Sequence, residues 1–521
     1  PLTLAAAAPF PVQDEGTAAA GASGADMAVD TAPFPVQEEG GVTTDECTLD
    51  EHEEDDLLDE HEEGDLFGDP SAMGLCWWET VPFDSILSLE CVTAGYVPEG
   101  VEHAVATLKG QLADYIHGRK AAADKEGELL GWKALLAIDA LLFFDLRGGE
   151  ATSRKAQVAD RIRMCEQGHW GTLWAHAEMQ SAAGSRDEDD ELEKTAARVT
   201  KLMEAKGISK GGSAVWGTGD RVPPQEIEEK FATTQHVADH NMPVSQRSYS
   251  TEELQRISAF AERVGHRIAK SFNKFSKKSR PGPAGGRSEH WQSVGDDDVI
   301  STRLGQVLAR LAIGDLPEEV SSALLSAKLN GIRKANGGCR ALGCGGVLRR
   351  TVFKQVAREL HCTLKQWCSP KQFGLHQDGC GRMYRYIETL YRNRPGVVIV
   401  SSDQADAYSH VDRRGAIAAG GECCLEVEVV LRALLSKESY HVLQGQQGIK
   451  ILRQNNGFDQ GCNMSSAGYC VRSNAALLAG QSAAQAIDPL AEVVSFIDDT
   501  YVIGLPAAAA AGWKAYQQKL Q

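Results

Sequence analysis

The sequence predicts an α+β protein in which an acidic tail and a helical region precede a domain built from an antiparallel sheet packed with helices. Three observations carry that expectation. Trp132, Leu135, Leu136 and Ile138, followed by Leu141, Leu142 and Phe144, form a wide apolar face at helical spacing. Val397-Val398-Ile399-Val400 is a β-branched run that reads as a buried strand. Val493 to Ile497 and Tyr501 to Gly504 are two further apolar runs, and Asp498-Asp499 between them marks the turn of a β-hairpin.

The net charge of -19 belongs to one end of the chain. Residues 1–70 carry 20 Asp and Glu and no Lys or Arg, so the other 451 residues are close to neutral and remain compatible with a polyanionic partner. Two short repeats mark this region: Pro9 to Gln13 returns at Pro33 to Gln37, and Leu49 to Glu54 returns at Leu58 to Glu63. They are too few and too irregular for a solenoid. Ala, Gly and acidic residues cannot bury enough apolar area to offset ordering entropy, so residues 1–75 are expected to be a disordered, low-complexity tail.

Residues 76–205 are expected to be helical, with a second run at Val199, Leu202 and Met203 ending at Gly207. Residues 206–324 read as a linker that contains a basic segment. Between Arg263 and Arg287 lie eight Lys or Arg residues, with Phe272 and Phe275 interleaved and a Pro281-Gly282-Pro283 break. Such a segment can follow phosphates with its cations and stack bases on its rings, or it can be a basic helix face plus a flexible connection.

The 13 cysteines have no repeating spacing, and no amino-terminal stretch joins basic residues to a long apolar run. A disulfide framework and secretion are therefore not indicated, and reduced, intracellular thiols, in nucleus or cytoplasm, are expected. No stretch approaches about 18 uninterrupted apolar residues, so a membrane-spanning helix is not expected. His236-x3-His240 and Cys339-x4-Cys344 lack the additional ligands a compact zinc site needs. The start at Pro1 points to a fragment or an incomplete gene model.

The carboxylates carry the chemistry. Asp403 ends the strand-like run at 397–400, and Tyr408 follows five residues later. If that strand neighbours the hairpin, Asp403, Asp498 and Asp499 converge, and carboxylates so close together call for a neutralising cation. Oxygen-only ligands select a hard ion, magnesium first and manganese as a substitute. Asp55-Asp56, Asp189-Asp190 and Asp296-Asp297-Asp298 lack flanking strands and read as solvated.

Three motifs in order resemble the palm of reverse transcriptases: Asp403-Gln404-Ala405-Asp406-Ala407-Tyr408, Gly457-x-x-Gln460-Gly461, and Phe496-Ile497-Asp498-Asp499. Upstream, Gly337 to Leu342 with Gly345, Val347, Leu348, Arg349 and Arg350 resembles the fingers motif of LINE-type, non-LTR retrotransposon enzymes. Pro370-x-Gln372-Phe373-Gly374 with Gly379-Cys380-Gly381 is similar to the group's next block. The resemblance covers about residues 325–505. It departs where the family has proline, at Ala341 and Asn463.

That resemblance implies a right-hand fingers and palm over 325–521. Since the chain stops 22 residues after Asp499, it is expected to be truncated before the thumb. It implies RNA-directed DNA polymerase activity on an RNA template, a DNA primer and deoxynucleoside triphosphates, with no membrane partner. Two magnesium ions would sit on Asp403, Asp498 and, more weakly, Asp499, one activating the primer 3′-hydroxyl and one shielding pyrophosphate. Arg340 would pair with the triphosphate, Tyr408 would exclude a 2′-hydroxyl, and Gln460 and Gly461 would approach the template. Two other readings stay open: a truncated or decayed copy without activity, and a non-enzymatic nucleic-acid or chromatin-binding protein.

Overall fold

A computed structural model describes residues 73–520 apart from 90–92, 145, 147–150, 183–221, 235–246, 276–280, 335–336, 403, 405, 438 and 446–447. The described residues belong to one compact unit, Gly64–Gln521; the other unit is Pro1–Glu63. Residues 1–72 of the expected tail, the expected helix at 199–203, Asp189-Asp190, His236, His240 and Asp403 lie outside the described residues.

The amino-terminal part is helical, as its apolar spacing requires. After a 3-10 turn at Leu75–Thr80 come α1 (Phe83–Leu87), α2 (Glu102–Ala121), α3 (Lys125–Phe143), α4 (Ala151–Glu166) and α5 (Trp170–Ala182). The Asp124 side chain accepts from Gly127 N and so caps α3, satisfying a donor that the first turn leaves unpaired. Trp132, Leu135, Ile138, Leu141 and Leu142 are buried on α3, with Trp78 and Trp170 buried near them.

A charge pair is sealed inside this helical part. Lys109 on α2 is 0% exposed, and its Nζ lies 2.8 Å from Asp139 Oδ1 on α3. Lys109 Nζ also donates to His290 O at 2.6 Å, and Trp291 Nε1 donates to Asp139 Oδ2 at 2.6 Å. Burial pushes the Asp139 carboxyl up, but Lys109 and His290 outweigh it and bring it down to about 2. Burial also drives the Lys109 ammonium below its ordinary value, so the pair contributes less than the Asp139 shift alone implies.

The chain continues through α6 (Pro224–Ala232), α7 (Thr251–Ala269), α8 (Asp298–Ile313) and α9 (Glu318–Leu325). Ser250 and Glu253 form a capping box at the start of α7, and Asp297 caps α8 by accepting from Val299 N and Ile300 N. Asp297 is thus a cap, where the sequence suggested a solvated acidic run. The basic segment also differs from expectation in its described part. Phe272 is 0% exposed, with its ring 5.5 Å from Phe275 and 6.4 Å from Trp291, so it fills core and is closed to bases. Arg263 and Arg267 on α7 both pair with Glu359, at 2.7 and 2.5 Å.

Among the described residues all strands lie beyond residue 325 and form two sheets. In the four-stranded sheet, β1 (Ala327–Arg333) and β2 (Cys339–Gly345) form one antiparallel hairpin, and β4 (Ser439–Gly445) and β5 (Gly448–Gln454) form another. The order is β2-β1-β4-β5, and the hairpins join through parallel pairing of Ala327 with His441 and Lys328 with Val442. The three-stranded sheet has order β3-β7-β6, with β3 (Val398–Ser402), β6 (Glu492–Phe496) and β7 (Asp499–Gly504) all antiparallel. Around the sheets lie α10 (Val347–Glu359), α11 (His361–Trp367), α12 (Gly379–Asn393), α13 (Arg413–Cys423), α14 (Leu425–Leu435), α15 (Ser465–Gln485) and α16 (Pro506–Leu520).

Strand β3 corrects the expectation of a buried strand, because it is an edge and Ile399 is 36% exposed. Val398 and Val400 pack toward Trp513 and Tyr516 of α16, whereas the opposite face of the sheet is covered at Val494 and Ile503 by Met383, Ile387 and Leu390 of α12. One apolar core runs from Met73 to Val471, so the helical part and the residues after 325 share buried side chains. No helix among the described residues is long and apolar enough to cross a membrane.

Candidate active site

Hydrophobic pairing of β6 with β7 places two carboxylates at one end of the three-stranded sheet. Phe496 pairs with Asp499, and Ile497-Asp498 makes the turn between them. Asp498 is half-buried and Asp499 is exposed. On the other side of β7, Ser402 pairs with Thr500, so β3 ends beside this turn. Asp403 is the next residue and lies outside the described residues; the strand that leads into it is adjacent and antiparallel to the strand that follows Asp498.

A chain of hydrogen bonds underlies that end of the sheet. The Tyr469 hydroxyl on α15 donates to Gln404 Oε1 at 2.7 Å, and Gln404 Nε2 donates to the Tyr516 hydroxyl on α16 at 2.7 Å. Thr500 Oγ1 on β7 lies 3.2 Å from the Tyr516 hydroxyl and 3.2 Å from Ser495 Oγ on β6. Gln404 follows Asp403 directly, so its amide ties that loop to two helices and, through Tyr516, to the hairpin. Buried polar groups linked in this way lose their rotational freedom together. Nothing in the periodicity of the sequence marks Gln404 or Tyr516 for this role.

Tyr408 is half-buried beside the same turn. Its hydroxyl lies 3.0 Å from Ser466 Oγ, and its ring is 5.7 Å from that of Tyr469. Burial pushes the Tyr408 hydroxyl up to about 12; the Ser466 hydrogen bond opposes this and the Asp498 charge adds to it. Asp498 likewise raises Tyr469, after the larger effect of burial. The Asp498 carboxylate therefore sits within electrostatic reach of both rings, and both stay protonated at neutral pH.

The Gln460-Gly461 turn is fixed from behind by Asp459. Asp459 Oδ1 lies 2.6 Å from His441 Nε2 on β4, and Oδ2 lies 2.6 Å from Arg349 Nη2 on α10. Arg349 Nη1 donates to Leu325 O at 2.6 Å, and Ser465 Oγ donates to Asp459 O at 2.7 Å. Burial would raise the Asp459 carboxyl, but His441 and Arg349 hold it well below the usual carboxylate range. Gly461 has φ 130°, and a Cβ there would sit 2.9 Å from the Gly343 carbonyl oxygen on β2, so only glycine fits.

Gln460, Ala341, Gly343, Asp406, Ser409, Lys230 and Asp459 line a small cavity of about 20 Å³, room for a water-sized group. Lys230 on α6 ion-pairs with Asp406, and Lys334 Nζ lies 3.7 Å from the other Asp406 oxygen. Burial raises the Asp406 carboxyl, and Lys230 with Lys334 outweighs it and holds the group below its ordinary value. Arg340 is exposed on β2, and strand alternation turns it away from the face where Ala341 and Gly343 meet the cavity. The structure thus groups Asp498, Asp499 and Tyr408 at one turn and Gln460 and Gly461 at another, and sets Arg340 on the opposite face of its hairpin.

The donors at the carboxylate turn are chemically suited to a hard cation, since Asp498 and Asp499 offer oxygen alone and stand at the end of two paired strands. Among the described residues no group of three His, Cys, Asp or Glu side chains forms a metal site, and the third expected ligand, Asp403, is not among those residues. All described cysteines, including Cys339 and Cys344, are free thiols. No protein-family model matches this chain, and no curated protein matches it.

Proposed function

We propose that this chain carries the fingers and palm of an RNA-directed DNA polymerase of the LINE type, with an RNA template, a DNA primer and deoxynucleoside triphosphates as its substrates. In this reading the four-stranded sheet with its flanking helices is the fingers, and the three-stranded sheet backed by α12, α15 and α16 is the palm. The observation that carries the reading is the antiparallel pairing of β3 with β7, which ends the strand before Asp403 beside the Asp498-Asp499 turn.

Asp403 and Asp498 would be the main ligands of magnesium, with Asp499 weaker; bound there, the ions supply positive charge that favours the attacking 3′-hydroxylate and the departing pyrophosphate. The guanidinium of Arg340, free of ion pairs with described residues, grips triphosphate oxygens in two places. The Tyr408 ring, held by Ser466, presents a wall to the sugar and leaves no room for a 2′-hydroxyl. Gln460 and Gly461, braced by Asp459, approach the template where any side chain larger than glycine would intrude.

Primer extension on an RNA template with magnesium tests this, comparing the chain with its Asp498→Asn variant. Incorporation that requires magnesium and disappears in the variant is expected, because the amide keeps the shape and loses the charge. Extension that survives Asp498→Asn rejects the reading.

A further inference from the structure

The residue before Asp498 has a backbone conformation that its side chain opposes. Ile497 has φ 61°, one of five non-glycine residues with positive φ among those described. A β-branched side chain is poorly suited to the left-handed region, because its Cβ crowds the following carbonyl. Such a residue stays there only when its surroundings over-determine it, and the places where that happens cluster at functional sites.

The two-residue hairpin turn calls for positive φ at its first residue, and one buried side chain clasps Ile497 in that conformation. Gln372 is 1% exposed and lies on the segment between α11 and α12. Its Oε1 accepts from Ile497 N at 2.8 Å and from Gly374 N at 3.1 Å, while its Nε2 donates to Ile497 O at 3.3 Å. One amide therefore engages both polar groups of the Ile497 backbone, as a neighbouring strand would. The flanks lock the same contact: Ser495 N donates to Lys371 O at 2.9 Å, and Ser495 Oγ donates to Ile497 O at 2.8 Å. Gly374 permits the approach, since a Cβ there would stand 2.5 Å from Ile497 Cγ1.

We propose that Gln372 is a positioning residue for the carboxylate turn: by holding Ile497 left-handed, it aims the Asp498 carboxylate at the cation. The proposal rests on the polymerase reading, in which Asp498 binds magnesium. It assigns Gln372 no contact with substrate. Without the clamp, Ile497 relaxes toward negative φ, the peptide leading into Asp498 turns, and the carboxylate leaves the position set by the hairpin. The loss should fall on cation affinity and on the chemical step, and the KM for nucleotide should stay nearly constant.

The test measures Mn²⁺ binding to the full chain by electron paramagnetic resonance, together with hydrogen exchange of the 495–500 segment. The variants are Gln372→Leu, Ile497→Gly, the double variant and Asp498→Asn. Gln372→Leu should weaken Mn²⁺ binding about tenfold or more, as loss of an outer supporting group does, and speed exchange at Ile497. In the double variant the loss should be smaller, because glycine adopts positive φ unaided; this also keeps the test decisive if Gln372→Leu alone folds poorly. Unchanged Mn²⁺ affinity in Gln372→Leu, or strictly additive losses in the double variant, overturns the clamp. Equal Mn²⁺ affinity in the unaltered chain and Asp498→Asn overturns the polymerase reading first, and the clamp's role with it.

Discussion

Arg349 Nη2 and Asp459 Oδ2 meet at 2.6 Å with both side chains withdrawn from solvent, and the residue after Asp459 is Gln460. The pair connects α10 to the turn that carries Gln460 and Gly461. Because a charge left alone in the interior keeps its full desolvation cost, removing one partner should be worse than removing both. Asp459→Ala should cost about 3–5 kcal/mol of stability. The double variant Arg349→Met, Asp459→Leu should recover most of it, as read by urea unfolding. A double variant as unstable as the single one would show that the ions contribute more than their burial costs.

The Lys109–Asp139 pair sets an acid limit on the helical part. Asp139 is lowered from 3.8 to about 2 in the folded chain, so its contribution is present above the unfolded value of 3.8 and fades as pH falls toward 2. Unfolding free energy followed from pH 5 downward should drop through that window. The Asp139→Asn variant should be less stable at pH 5 and show a shallower drop. A slope equal to that of the unaltered protein would place the acid sensitivity elsewhere.

Tyr408 should control sugar selection in primer extension. Tyr408→Val removes the ring while leaving Asp498 and its hairpin pairing in place. Discrimination against ribonucleotides should fall by roughly tenfold or more, on the scale of one lost steric contact. Unchanged discrimination would assign the gate to another group.

Gly461→Ala places a Cβ 2.9 Å from the Gly343 carbonyl oxygen and forces alanine to φ 130°. A strained residue of this kind costs about 1–3 kcal/mol. The thermal midpoint should fall, and Gly461→Ser should fare no better because the obstacle is the Cβ itself. An alanine variant as stable as the original would mean that the turn shifts freely.

The sequence made local elements legible and long-range ones hard to see. The apolar face of α3 and the hairpin around Asp498 follow from periodicities set by neighbours in the chain, and both are present. The exposure of β3 was not legible, because Val397 to Val400 reads the same at the edge of a sheet as in its centre. Phe272 looked available beside its lysines; packing against Trp291 and Phe275 decides otherwise, and Trp291 is 19 positions away. At the site, the position of Asp498 followed from the hairpin. The supports supplied by Gln372, Gln404, Asp459 and Tyr516 are single polar residues whose partners are distant in sequence, and no pattern along the chain distinguishes them from surface amides, acids and phenols.

The four-stranded sheet has a seam. Each of its hairpins is zipped over seven pairs, whereas the hairpins touch each other through two, and Ala327 and His441 at that junction are 114 positions apart. Closing so long a loop yields few ladder bonds in return, so the hairpins should assemble first and the junction late. Helix α6 spans the junction, with Ile227 and Phe231 packed against Leu329 of β1 and Leu443 of β4, and acts as its staple. Loosening α6 should therefore let the sheet part into two cooperative units before either hairpin frays, a sub-global opening set by one short helix.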